Sequence, residues 1–234
     1  MLHGDQQGLF DLDFCIPSEC ADRLESGQAD LGIVPSGELP RLGLKMVPGT
    51  GIACRGPVRS ILLVSKVPRR EIRVLAADTS SRTSVRLARI LLARNDGVKP
   101  RVLGFPPDLA AMLEAADAAL IIGDPALRVD VSRCPYPVFD LGEEWTATTG
   151  LPMVFAVWAG RPECVTPELT QPFLDSCRFG LAHIEEIVRL ESAARGFAPE
   201  LVRDYFARCV TLELGAQEYR GLDLFLDMVK HVDA

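Results

Sequence analysis

The chain has 234 residues, 48% of them hydrophobic but only 6% aromatic, which suits one large domain or two small lobes around a mainly aliphatic core. A formal net charge of -7 argues against a nucleic-acid backbone or an anionic membrane surface as partner. The seven cysteines are scattered, form no C-x-x-C pair and have only three histidines to join them, so they read as reduced, mostly buried thiols with no metal site. No charged-then-apolar leader opens the chain, and no apolar run approaches the roughly 20 residues of a membrane span, so a cytoplasmic protein is expected.

In chain order, Ser18 is placed to cap a short helix over residues 19–26 that Gly27 ends. Residues 29–34 read as an apolar strand stopping at Pro35, with Ser36, Gly37 and Glu38 in the turn after it. Residues 44–47 and 51–54 read as two strands around a Pro48-Gly49 turn, and 58–67 as a long buried strand. A strand over 72–77 runs into a helix reaching about Arg94, whose apolar positions form a broad stripe. Strand 101–105, helix 107–116 and strand 118–122 come next, the last ending in the turn Gly123-Asp124-Pro125. After a strand at 138–141 and a short helix at 143–148, residues 151–159 form a second long apolar strand. The remainder is helical over 167–195, 199–210 and 216–232.

This alternation predicts an α/β fold with two lobes, in which 1–66 and 157–234 form lobe I and 67–156 an inserted lobe II. The cleft between them would collect the turns at the strands' carboxyl ends, where open α/β sheets bind ligands. The most pointed of those turns carries Thr79, Ser80, Ser81, Thr83 and Ser84 at the start of a helix. The first N–H groups of that helix lack intrahelical partners and carry partial positive charge. One hydroxyl, on Ser80 or Ser81, suffices as a cap. Five exceed that need and favour a carboxylate-type ligand.

Five runs then occur in a recognisable order: A-D-L-G-I-V-P-S-G-E-L at 29–39, G-P-V-R-S-I-L-L-V-S-K-V-P at 56–68, D-T-S-S-R-T-S-V at 78–85, A-A-L-I-I-G-D-P-A-L at 118–127, and D-L-G-E-E-W-T-A-T-T-G-L-P-M-V-F-A-V-W-A-G-R at 140–161. Together they resemble the chorismate dehydratases of the futalosine route to menaquinone, over nearly the whole chain. The resemblance implies the two-lobed fold of type II periplasmic binding proteins and the loss of water from chorismate to give 3-[(1-carboxyvinyl)oxy]benzoate. Chorismate is a dianion, so its site needs donors for two carboxylates. The chemistry needs orientation, one protonated group to help the hydroxyl depart and a base, but no metal or redox cofactor.

Carried over position by position, the resemblance makes Ser60 a catalytic or orienting hydroxyl, the alternative being a strand serine turned to solvent. It makes Ser36, Thr79, Ser80, Ser81, Thr83, Gly123 and Asp124 substrate-binding residues. Asp124 has a second reading as the cap of the helix after Pro125, and Glu38 reads as a solvated turn residue or a base. Arg59, Arg82 and Arg86 are candidate counter-ions, while Trp145 and Trp158 read as packing residues. With no His in any cleft motif, the substrate's own enolpyruvyl carboxylate is expected to remove the proton.

Family members begin with an apolar strand and a Y-L-N-type motif. Here Met1-Leu2-His3-Gly4 resembles the stretch just after that motif, so the first strand and its Asn are expected to be missing, through a late start assignment or a truncation. The other readings are a non-catalytic small-carboxylate-binding protein of the same fold and the sister enzyme acting on cyclic dehypoxanthinyl futalosine. Oligomeric state is not legible in the chain.

Overall fold

The computed structural model describes residues 1 and 3–232; Leu2, within the opening stretch compared with the family's start, lies outside them. The chain runs α1 (Pro17–Glu25), β1 (Leu31–Pro35), a single 3-10 turn (Ser36–Glu38), α2 (Leu39–Leu42), β2 (Lys45–Cys54), β3 (Ile61–Ser65), β4 (Val74–Asp78) and α3 (Arg82–Leu91). It continues through β5 (Arg101–Phe105), α4 (Leu109–Ala115), β6 (Ala118–Ile122), α5 (Gly123–Leu127), β7 (Val138–Asp140), α6 (Leu141–Thr149) and β8 (Met153–Gly160). The last part holds α7 (Pro167–Ala182), α8 (Ile184–Arg195), α9 (Pro199–Asp204), β9 (Thr211–Glu213) and α10 (Ala216–Val232).

The strands form two sheets. One has the order β1-β8-β2-β9 and is antiparallel throughout. The other has the order β5-β4-β6-β3-β7, with β4 parallel to both β5 and β6 and β3 antiparallel to β6 and β7. The chain crosses from the first sheet to the second over residues 55–60 and returns over 150–152. Strand β3, expected on the lobe I side of a boundary at 66/67, therefore hydrogen-bonds in the second sheet, and β8 lies wholly in the first.

Several local expectations change for identifiable reasons. The first helix begins at Pro17, whose missing N–H suits a first helical position, and Ser18 is buried within it rather than capping it. Residues 45–54 form one strand because the Pro48-Gly49 pair is absorbed as a register shift against β8 between Met46 and Gly51. The helix predicted to reach about Arg94 and the one predicted over 199–210 each end in a π turn, at Leu92–Asp96 and Tyr205–Cys209. The helix predicted over 167–195 breaks at His183.

The main core bridges the sheets. Leu63 and Leu75 of the second sheet, Met153 and Phe155 of the first, Leu87 and Leu91 of α3, and Phe225 of α10 share one cluster with Trp145. Trp145 is fully buried, donates its Nε1–H to the Pro152 carbonyl at 3.1 Å and meets Phe225 edge-on at 6.0 Å. Trp158 packs on Phe173 at 4.9 Å. Both tryptophans thus serve packing, as read from the sequence.

One glycine matters to the crossing. A Cβ on Gly142, at the start of α6, would stand 2.6 Å from Cys54 Sγ and 2.7 Å from the Gly56 carbonyl oxygen. The sulfur can shift, but the carbonyl belongs to the crossing segment itself. Gly142→Ala is expected to destabilise the fold by about 1–3 kcal/mol, the usual cost of overpacking, read as a lower midpoint in thermal unfolding.

Candidate functional site

Parallel pairing brings the carboxyl ends of β4, β5 and β6 to one rim of the second sheet, and antiparallel β3 starts at that rim. Ser60 and Gly123 meet there because Ile61 pairs with Ile122: the Gly123 N–H donates to the Ser60 carbonyl at 2.7 Å. Gly123 has φ 64, a left-handed conformation that suits glycine, as the first residue of α5. Ser60 is buried, and its Oγ lies 3.1 Å from the Tyr205 hydroxyl. It is not a strand serine facing solvent.

The segment carrying Ser60 is pinned by Asp140. This carboxylate accepts the N–H groups of Val58 (3.0 Å) and Arg59 (2.6 Å) and also those of Gly142 (2.9 Å) and Glu143 (3.1 Å), so it caps α6 as well. Arg59 has φ 62, the only left-handed non-glycine among the described residues, and it immediately precedes Ser60. The hold on its N–H offsets the strain of that conformation. An Asp before Leu-Gly-Glu-Glu is legible as a helix cap; its grip on residues 82 and 81 positions away is not.

The hydroxyl turn lies on the same rim, the Thr79 N–H donating to the Phe105 carbonyl at 3.2 Å. Its five hydroxyls divide their work. Ser81 is the cap, accepting the Ser84 N–H at 3.2 Å and donating to Ser84 Oγ at 2.8 Å. Ser80 donates its N–H and hydroxyl to Asp78 Oδ1 at 2.9 and 2.6 Å. Thr83 is buried and accepts the Gly37 N–H at 3.1 Å. Thr79 stands exposed at the rim. Most of the surplus over one cap is thus engaged within the fold.

Ser36, expected to bind substrate, is fully buried and donates to the Val154 carbonyl at 2.7 Å, so its hydroxyl is taken up in tying the turn after β1 to β8. Asp124 does not cap α5, where it occupies the second position, but pairs with Arg195 of α8 at 3.0 Å.

Glu38 is neither solvated nor placed as a base. It is 1% exposed and receives Arg41 (2.9 Å), Arg82 (3.0 Å) and Arg86 (2.6 Å). Burial alone pushes its carboxyl up, but the guanidiniums of Arg86, Arg41 and Arg82 outweigh that and hold it below the ordinary value. The candidate counter-ions Arg82 and Arg86 are therefore engaged with Glu38, while Arg59 lies 3.5 Å from Asp204. An open hollow of about 330 Å³ is lined by Asp22, Glu25, Glu38, Arg41, Arg82 and Arg86, an array of opposite charges already paired with one another. It lies at the Glu38 cluster, and Ser60 is not among the residues that line it.

Among the described residues no group of three or more His, Cys, Asp or Glu is placed to hold a metal ion, and no helix is long and apolar enough to cross a membrane. Tyr205 goes unmarked in the sequence because nothing local singles it out; its partner Ser60 is 145 residues away.

Solved structures share this architecture. A protein of Archaeoglobus fulgidus superposes with a TM-score of 0.67 at 17% identity, covering 93% of this chain and 84% of its own. The periplasmic aliphatic sulphonate binding protein of Escherichia coli gives 0.63 at 15% identity, over 93% and 75%. A Candida albicans protein described as having the generic periplasmic binding protein fold gives 0.56 at 10%, over 92% and 77%. The chain is thus a two-lobed α/β protein of the periplasmic-binding-protein fold. In sequence, the chorismate dehydratase of Thermus thermophilus is 32% identical over 210 residues, covering 81% of this chain and 76% of that enzyme. Residues 9–231 match the model of the menaquinone biosynthesis family, and the chain belongs to that family.

Proposed function

We propose that this protein is a chorismate dehydratase, a carbon–oxygen lyase that removes water from chorismate to give 3-[(1-carboxyvinyl)oxy]benzoate. The observation that carries the reading is the buried Ser60 hydroxyl, set by a left-handed Arg59 beside the Gly123 turn at the carboxyl rim of the second sheet. The 32% identity to an enzyme of that name supports the choice of reaction.

In the elimination, the ring carbon bearing the enolpyruvyl ether loses its proton. The electron pair it leaves becomes a ring π bond as the neighbouring C–OH bond breaks, and the hydroxyl departs with a proton as water. Aromatisation drives the step, so the protein's task is orientation and one donor to the leaving oxygen. Ser60 donates a hydrogen bond to that oxygen in our reading, and the proton the ring carbon gives up is passed on to the departing hydroxyl, so that water leaves and Ser60 keeps its own proton. Thr79 at the rim, with the N-terminus of α3 behind it, receives a carboxylate, while Ser80, whose N–H and hydroxyl both go to Asp78, holds the turn in shape. The proton goes to the substrate's own enolpyruvyl carboxylate: Asp124 is paired with Arg195, and His183 is exposed with its Nδ1 2.8 Å from the Phe179 carbonyl.

Incubating the chain with chorismate is expected to give a product one water lighter by LC–MS, with no histidine-like ionisation in the pH–rate profile. A folded chain that leaves chorismate unchanged overturns the reading, and binding without turnover would make it a small-carboxylate-binding protein.

A further inference from the structure

Two consecutive side chains of the C-terminal helices hold two consecutive residues of the crossing segment. Asp204, the last residue of α9, reaches Arg59 at 3.5 Å, and Tyr205, the next residue, places its hydroxyl 3.1 Å from Ser60 Oγ. Tyr205 opens the π turn Tyr205–Cys209, a wider turn than the α-helix before it and a form found often at functional sites. Its ring is braced edge-on by Phe206 at 5.5 Å.

The direction of this hydrogen bond follows from acidity. A phenol is a stronger acid than an alcohol, so it is the better donor of the two. Burial pushes the Tyr205 phenol up; the Ser60 contact pulls it down, while Cys209, Asp124 and Cys54 nearby add to the rise. The phenol accordingly keeps its proton at neutral pH.

We propose that Tyr205 is a positioning residue for Ser60: its hydroxyl donates to Ser60 Oγ, occupies a lone pair there and leaves the serine's own proton directed to the ligand at the rim. The role rests on the dehydratase reading. Without Tyr205 the Ser60 hydroxyl is no longer held in that orientation, and the fraction aimed at the leaving oxygen falls.

The test compares the wild-type chain, Tyr205→Phe, Ser60→Ala and the double variant in steady-state turnover of chorismate, with thermal unfolding as the check on folding. Y205F is expected to lose roughly tenfold in kcat, the rate equivalent of one hydrogen bond, with KM within about twofold of wild type. S60A is expected to lose more, and the double variant no more than S60A, because Tyr205 acts through Ser60. A merely structural role would raise KM along with lowering kcat, and its loss would multiply with that of S60A. Either that multiplication or a wild-type kcat in Y205F overturns the proposal. If Y205F fails to fold, Tyr205→His takes its place under the same criterion of a loss present only when Ser60 is intact. A wild-type chain inactive on chorismate overturns the dehydratase reading and the positioning role together, so the two failures are told apart.

Discussion

Glu38→Ala is expected to lower the thermal unfolding midpoint by about 6–12 °C, corresponding to about 3 kcal/mol in a chain of this size. Glu38 is 1% exposed and lies among three guanidiniums, two of them from α3 and one from α2. Removing it leaves like charges facing one another with no shared anion. Arg41 and Arg82 keep Glu25 and Asp22 at 2.7 and 2.8 Å, and the arginines are 18–42% exposed, so water takes up part of the lost solvation. That places the effect at the lower end for a broken buried ion pair. Glu38→Gln keeps the volume but removes the anion, so it separates charge from packing and is expected to show most of the alanine variant's loss.

The same carboxylate predicts a pH dependence. Its folded pKa lies below the ordinary glutamate value of 4.5, because the arginines outweigh burial. The unfolded chain therefore binds a proton at Glu38 before the folded chain does. The stabilisation is complete above pH 4.5 and is lost as pH falls through the folded value. In thermal or denaturant unfolding, the gap between wild type and E38Q should narrow steadily with acidification below that point. A gap that stays constant from neutral pH downwards would show that Glu38 contributes by shape and not by charge.

The contrast between Glu38 and Ser81 shows what a sequence discloses. Ser81 caps α3 by bonding a residue three positions on, so the pattern of a hydroxyl before an apolar stripe narrows the cap to Ser80 or Ser81. The strands that form the rim are legible for the same local reason, and so is the buried role of Trp145. Glu38 takes two of its three arginines from 44 and 48 residues away, across the two sheets, and a Pro-Ser-Gly-Glu turn looks the same whether solvated or buried. Ser36 escapes likewise: its acceptor is a backbone carbonyl 118 residues away, which no side-chain pattern encodes. Strand β2 reads as two in the sequence because Pro48-Gly49 carries turn chemistry, whereas pairing with β8 accommodates the pair as a bulge. The break at His183 follows Gly180, which sits inside the last turn of α7 and not after it, so it does not mark the end in the usual way.

Asp140 offers a way to separate the stability of the fold from the placing of the site. Its Oδ1 takes the N–H groups of Gly142 and Glu143, the cap of α6, and also approaches Val58 at 3.0 Å; its Oδ2 takes Arg59 at 2.6 Å and Val58 at 3.0 Å. Asp140→Ala removes both functions. The cap is worth about 1 kcal/mol, and the buried Val58 N–H left without an acceptor about 1–3 kcal/mol, so a loss of about 2–4 kcal/mol is expected. Asp140→Asn keeps the cap acceptor but turns an NH2 group toward the Val58 and Arg59 N–H donors, which repels the crossing segment. It is expected to lose less stability than the alanine variant yet as much activity, because the left-handed Arg59 is released and Ser60 moves with it. A displacement of about 1 Å at a reacting group is enough for about a hundredfold loss in kcat. Turnover of chorismate and unfolding midpoints measured on both variants decide the matter. Equal activity in D140N and wild type would mean that the crossing segment keeps Ser60 in place without this carboxylate, and that β3 pairing with β6 alone sets the rim.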